Sequence, residues 1–389
     1  MNSMPAPKPS RMPSAHAQIA VIGGGLVGSA IAYGLAKQGS DVTVFDEGDL
    51  AFRASRGNFG LIWVQSKGLG MPQYAAWTLR SAALWPKLAA ELIERTGVDP
   101  DLQQPGGLHI LLSGDEVARR KAFLAKLHAQ PEFPRYPYQM LDRQELKSIY
   151  PGIGPEVEGA SYTSQDGHAN PLRLLRALHT ALQQLGATYR PNHPVERIEP
   201  LATGFAIYAN AQRYTCERLV IAAGLANARL APMVALEVPV RPQRGEIIVL
   251  ERVKPFLRHP MLSLRQTAEG SVMIAEAKVE AGFDKSTDLG VLGALARRAV
   301  RTFPALGEAR AVRTWGALRI LSPDGFPIYA QSERHPGAFV ATCHSGVTLA
   351  GAHALDLAPQ IAAGALESRM QSFTPKRFTQ GDGHVSYQH

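Results

Sequence analysis

Gln18-Ile19-Ala20-Val21-Ile22-Gly23-Gly24-Gly25-Leu26-Val27-Gly28, the helical pattern Ser29 to Lys37, and then Asp41-Val42-Thr43-Val44-Phe45-Asp46 form the stretch whose reading decides the fold. Gln18 to Ile22 is a short β-type run, and the Ala-rich pattern after Gly28 ends at Gly39. GxGxxG therefore stands between a strand and a helix, where its spacing has physical meaning. Gly23 permits a tight turn, Gly25 lets the backbone approach a pyrophosphate, and Gly28 allows close packing of helix on strand. Leu26 and Val27 open a helix whose unpaired N–H groups and dipole favour an anion. The second strand delivers Asp46, with Glu47 beside it, about 20 residues on, where an acid accepts ribose hydroxyls. The stretch predicts a Rossmann-like α/β dinucleotide-binding domain. It does not choose between NAD and FAD, and Asp46 without an adjacent arginine argues against NADP.

Composition sets the outer limits. A chain of 389 residues, 45% hydrophobic and 19% charged, buries a large core, and roughly 150 residues per domain gives two or three domains. The formal charge of +8 is spread over scattered pairs such as Arg119-Arg120 and Arg297-Arg298, so nucleic acid is not the expected partner. A modest positive field suits carboxylate substrates or an acidic partner protein. Cys216 and Cys343 stand alone, with no disulfide framework and no metal-ligand spacing. The Pro-, Ser- and Ala-rich stretch 1–17 reads as a disordered tail without an apolar signal region. Ile19 to Ala36 is broken by glycines and is not a membrane span, so the expected location is cytoplasmic.

Further along, the small and polar residues Ala54 to Gly60 fit a loop whose backbone lies against a cofactor. Helices are expected over about 75–96 and 115–128, and a strand over 108–112. Asn170 and Pro171 cap and open a helix whose apolar face runs from Leu174 to Leu185. Strands follow near 195–198, 204–209 and 219–222, with more across 236–280. A helix is expected at about 286–302, and a last one from Thr348 to Gly364.

In order along the chain, the fingerprint, Asp166-Gly167-His168-Ala169-Asn170-Pro171, Leu219 to Gly224, Pro242-Gln243-Arg244-Gly245-Glu246, Trp315-Gly316-Ala317-Leu318-Arg319 and Ser322 to Pro327 resemble the FAD-dependent D-amino-acid oxidase family. Asn58-Phe59-Gly60 and His344 to Leu349 look most like the flavin-bearing β subunits of D-hydroxyproline dehydrogenases and opine oxidases. The resemblance implies FAD, with a glutathione-reductase-2 type cofactor domain (18–84, 150–236, 318–365) and an α+β substrate domain built on a large antiparallel sheet (85–149, 237–317). Residues 366–389 are left as a tail. It also implies an iron–sulfur or second flavin partner subunit as electron acceptor. FAD is expected to be non-covalent, because Ala317 stands where sarcosine oxidases carry the flavin-bonded cysteine.

What the resemblance implies for the site goes residue by residue. Arg53, Ser55, Asn58, Phe59 and Gly60 border the cofactor, Val195, Ala223 and Gly224 lie near its adenine and pyrophosphate, and Gly346, Val347 and Thr348 aim N–H groups at the flavin. Arg319 holds the substrate carboxylate over the flavin ring, which suits a planar guanidinium. The implied reaction oxidises the C–N bond of a small amino acid, D-amino acid, hydroxyproline-like imino acid or opine, by transfer of the Cα hydride to flavin N5. His344 is a candidate base or orienting residue, Glu276 a candidate for the substrate amine, and Trp63 and Gln65 are candidate pocket residues. A stand-alone oxygen-using oxidase and a non-catalytic FAD-holding subunit remain as alternatives.

Overall fold

The computed structural model describes residues 15–48 and 54–379. The decisive stretch folds as a strand, His16–Ile22, a helix, Leu26–Lys37, and a second strand, Val42–Phe45, the two strands pairing in parallel from Ile19↔Val42 to Ile22↔Phe45. All four residues of Val42–Phe45 are buried. Val42 and Val44 face the helix-covered side with Ile31 and Leu35, whereas Phe45 packs with Ile207 and Leu230 on the other. A strand covered on both faces reads as an unbroken apolar run, which is why this segment shows no alternation.

The main sheet runs in the order Ile328–Gln331, Ala338–Thr342, Gln212–Ile221, His16–Ile22, Val42–Phe45, Thr188–Arg190, and the hairpin of Val195–Pro200 and Phe205–Ala209 extends from Gln212–Ile221. The core pairings are parallel, and only the outer Ile328–Gln331 strand and the hairpin are antiparallel. The helix Pro171–Gln184 starts as read, with Asn170 Oδ1 accepting from Leu172 N and Arg173 N at 3.1 and 3.2 Å. The second lobe carries a four-stranded antiparallel sheet, Leu264–Gln266, Ser271–Ile274, Arg241–Arg252 and Ala311–Leu321, beside a three-stranded one, Gly107–Leu111, Gly159–Thr163 and Gln139–Asp142.

Several expectations are corrected. The large second sheet is two sheets joined by the single bridge Leu108↔Met261; Pro260, which lacks an N–H, stands where the ladder stops. Gly159–Thr163, expected in the cofactor lobe, belongs to the second lobe's sheet, and Ala311–Leu321 runs straight through the boundary set at 317/318. His16 and Ala17 pair with Thr215 and Cys216, so the expected tail over 1–17 ends sooner; residues 1–14 lie outside the described residues. Of the expected tail over 366–389, Ser368–Phe373 and Pro375–Phe378 form tight turns, with Met370 and Phe373 buried against the main sheet's core. Those apolar side chains and the pair of Arg377 with Asp324 at 2.6 Å tie them down. The last helix begins at Ala350, not Thr348, and contains a π turn, His353–Leu357, before Ala358–Ala363.

Candidate functional site

The turn between the first strand and helix forms a cradle. Gly23 sits at φ +108°, and a Cβ there would lie 2.3 Å from Ala222 O. Gly28 touches Gly23 O, which a Cβ would approach to 1.9 Å. Gly25 differs: its Cβ position meets only the Ser55 side chain, Oγ at 2.8 Å, so the cradle stays open for a ligand. The helix has no side-chain cap and no acid in its first turn; Ser55 Oγ accepts from Leu26 N at 2.9 Å. Asp46, at the end of the second strand, accepts from Gly24 N at 2.7 Å and Gly48 N at 3.0 Å, while Glu47 beside it is exposed. Ala223 N donates to Asn227 Oδ1 at 2.7 Å, Gly224 takes φ +60°, and buried Val195 begins the hairpin strand nearby. These groups fit a pyrophosphate at a helix N-terminus and a ribose at Asp46. Arg53 lies outside the described residues.

A cavity of about 940 Å³ lies between the lobes. Asn58, Phe59 and Trp63 form one wall, Glu276 and Arg319 another, and His344, Val347 and Thr348 a third. Gly60, at φ +97°, donates its N–H to Asn58 Oδ1 at 2.7 Å. Gly346 lies on the start of the first helix, its Cβ position 3.6 Å from Leu26 and 3.7 Å from Val27 side-chain carbons. Thr348 Oγ1 donates to Leu61 O at 3.0 Å and accepts from Trp63 N at 3.2 Å. The N–H groups of residues 346–348 thus lie in the turn before the last helix rather than on it. Among the described residues the buried Trp63 indole N–H, on the cavity wall, has no hydrogen-bond partner, as expected of a donor at a ligand site.

Arg319 lies on the Ala311–Leu321 strand opposite Gln243. Its Nη1 donates to Ala277 O at 2.6 Å, and its guanidinium covers Gly245, where a Cβ would come within 2.7 Å of Cζ. The backbone under the guanidinium explains the glycine. Glu276 occupies φ +105°, a region that non-glycine residues avoid, and burial raises its carboxyl, offset in part by the Arg298, Lys278 and Arg319 charges. His344 Nδ1 is 2.8 Å from Ser345 Oγ; burial first, then the Lys67, Arg319 and Lys278 charges, hold the imidazole well below its usual range, so it is neutral near pH 7. Cys343 is buried, which pushes its thiol up to about 12.

Sequence reading passed over a buried polar group at the edge of this cavity. Arg120, noticed only as half of a basic pair, donates to Ser161 Oγ, Ser66 Oγ, Gln65 O and Gln65 Oε1 at 2.8 to 3.1 Å. Gln65 in turn donates to Asp166 Oδ2 at 2.6 Å, and Asp166 Oδ1 accepts from Val64 N at 2.5 Å. Lys67 was also missed: it is 6% exposed, lines the cavity, and bonds to Ser345 Oγ at 3.2 Å. Nothing in Gln65-Ser66-Lys67-Gly68 separates it from a surface lysine. Among the described residues no cluster of His, Cys, Asp and Glu could hold a metal, and no helix is long and apolar enough to cross a membrane.

Comparison with known proteins identifies the dinucleotide. A family model described as FAD dependent oxidoreductase, DAO, matches residues 18–360. The B subunit of opine oxidase from Agrobacterium tumefaciens (strain Ach5) is 45% identical over 358 residues, 92% of this chain and 96% of that one. Glycine oxidase of Geobacillus kaustophilus (strain HTA426) is 28% identical over 335 residues, 84% of this chain and 87% of that one. A crystal structure of glycine oxidase from Geobacillus kaustophilus matches with a TM-score of 0.84 at 26% identity, covering 95% of this chain and all of the other. With its cradle, its two-lobed cavity and these relatives, the chain belongs to the DAO family of FAD-dependent oxidoreductases.

Proposed function

We propose that the protein oxidises the C–N bond of a small amino acid, with opine-type secondary amines and D-amino acids as its substrate class, and that it serves as the flavin-bearing subunit of a hetero-oligomer. The observation that carries this reading is Arg319, held by Ala277 O with its guanidinium across Gly245 on the cavity wall. There it offers two parallel N–H donors to a carboxylate and fixes the Cα hydrogen in one orientation. FAD in the cradle supplies the hydride acceptor. Glu276, in its strained conformation on the same wall, faces the substrate amine. The N–H groups of Gly346, Val347 and Thr348 favour negative charge where the turn meets the first helix.

The 45% identical relative is one subunit of an opine oxidase, which supports the hetero-oligomer. Exposed Phe283, Leu289 and Val312 in the second lobe offer apolar surface for such a partner. Anaerobic bleaching of the bound flavin by a panel of D-amino acids, hydroxyproline isomers and opines tests the reading; a panel that leaves the flavin oxidised sinks it while leaving the fold intact. A second reading, a stand-alone oxidase using oxygen, draws on the glycine oxidase likeness. Rapid reoxidation of the reduced flavin by air in the isolated protein would select it.

A further inference from the structure

Lys67 is buried where lysines are seldom found, and it has no carboxylate partner among the described residues. Its Nζ meets Ser345 Oγ at 3.2 Å and lies 5.7 Å from the centre of the Tyr74 ring. Ser345 Oγ also receives the Tyr74 O–H at 3.1 Å and sits 2.8 Å from His344 Nδ1. Lysine, serine and histidine thus form a continuous chain along the cavity wall. The charged and titratable groups facing Lys67 from the surrounding elements are Cys343, Lys278, Arg319 and Asp166, with Tyr74 and His344 at its hydrogen-bonded end.

We infer that Lys67 is the proton acceptor for the substrate's ammonium group, reached through His344 and Ser345. The inference rests on the amine-oxidising function proposed above. An amine must lose its ammonium proton before its Cα hydride can leave, because only the free lone pair can form the imine. In the resting network the neutral lysine accepts from Ser345 O–H, while Ser345 Oγ accepts from His344 Nδ1–H and from Tyr74. The ammonium proton goes to His344 Nε2, the Nδ1 proton to Ser345 Oγ, and the serine proton to Lys67 Nζ. The products are a neutral amine and a lysine ammonium, with no change in total charge. Both hydrogen-bond arrangements use the same short contacts, so no side chain has to move. Burial, with Lys278 and Arg319 adding to it, lowers the Lys67 ammonium to about 7, which leaves the amine free to accept at slightly alkaline pH.

The test uses the holoenzyme and an amine that bleaches its flavin. The wild-type kcat/KM should fall on the acid side with a midpoint near 7. Lys67→Met should move that limb up into the range of the free substrate ammonium, since only amine already deprotonated in water can then react, and lower kcat/KM at pH 8 on the order of 10²-fold. Lys67→Arg, which keeps the charge but accepts no proton, should not rescue it. A readout independent of turnover is the Cε chemical shift of Lys67 in [13C]lysine-labelled holoenzyme at pH 8. It should move from the neutral to the charged position when 2-aminoisobutyrate, which has no Cα hydrogen, is added. An acid limb that keeps its midpoint near 7 in Lys67→Met, full activity of Lys67→Arg, or a Lys67 signal that stays unchanged with 2-aminoisobutyrate would each overturn the assignment. If no amine bleaches the flavin, it is the proposed function that falls.

Discussion

Gly25 and Gly28 belong to one motif and do different things. A methyl group at Gly28 would press on Gly23 O and Ala222 Cβ, at 1.9 and 3.3 Å, inside a backbone that cannot yield. Gly28→Ala should cost the apoprotein about 1–3 kcal/mol or more, read as a lower melting temperature. At Gly25 the neighbour is the tip of the Ser55 side chain, so Gly25→Ala should melt like the wild-type apoprotein yet bind FAD about tenfold or more weakly, about 1.4 kcal/mol, in a fluorescence titration. Arg319→Ala should lower kcat/KM for carboxylate-bearing amines on the order of 10²-fold, and Arg319→Lys should recover only part of it, since an ammonium cannot form the two parallel bonds. The GxGxxG residues were legible because their requirement is local, one turn between two adjacent elements. Arg319 was legible only through the motif around it, and the glycine it covers, Gly245, belongs to a paired strand far away in sequence.

The helix Pro171–Gln184 and the last helical segment show how far periodicity reaches. In the former, cap, opening proline and apolar face all lie in one stretch, and the structure reproduces them. The latter was placed correctly as a segment, but its π turn was invisible, because it is set by contact with the first helix. Gly34 packs so closely that a Cβ would lie 2.1 Å from Ala354 O. Within that π turn, Asp356 is buried and receives Arg80, Arg369 and the Gln360 amide, the last at 2.9 Å. Asp356→Ala should destabilise the protein by about 1–3 kcal/mol, seen in thermal or urea melts, by leaving those donors without an acceptor. The helix Arg143–Ile149 was missed altogether. At seven residues it offers little periodicity, although Asp142 and Glu145 form a reciprocal cap, with Glu145 N to Asp142 Oδ1 at 2.9 Å.

At the scale of the whole molecule, folding shifts Lys67 and Asp166 in opposite senses. Burial raises the Asp166 carboxyl from 3.8 to about 7, so its contribution to stability is present below 3.8 and lost as pH rises through 7. Lys67 is lowered from 10.5 to about 7, so its contribution is present above 10.5 and lost as pH falls through 7. Lys67→Met should therefore stabilise the protein most below pH 7, by at most a few kcal/mol at about 1.4 kcal/mol per tenfold change in proton affinity, with the gain shrinking toward pH 10.5. Melting curves across that range check the sign.

By itself the sequence determined the dinucleotide cradle, the parallel sheet that carries it, and the family, because these depend on glycine spacing, apolar runs and short motifs that are local in the chain. Only the tertiary structure decided which polar residues leave water. Lys67, Arg120 and Asp166 stand in segments that read as surface or loop, and only the packing of both lobes against the cofactor cavity removes their solvent. That loss of solvent sets their charge and hydrogen-bond partners, and it is what turns an ordinary lysine into the proton acceptor inferred above.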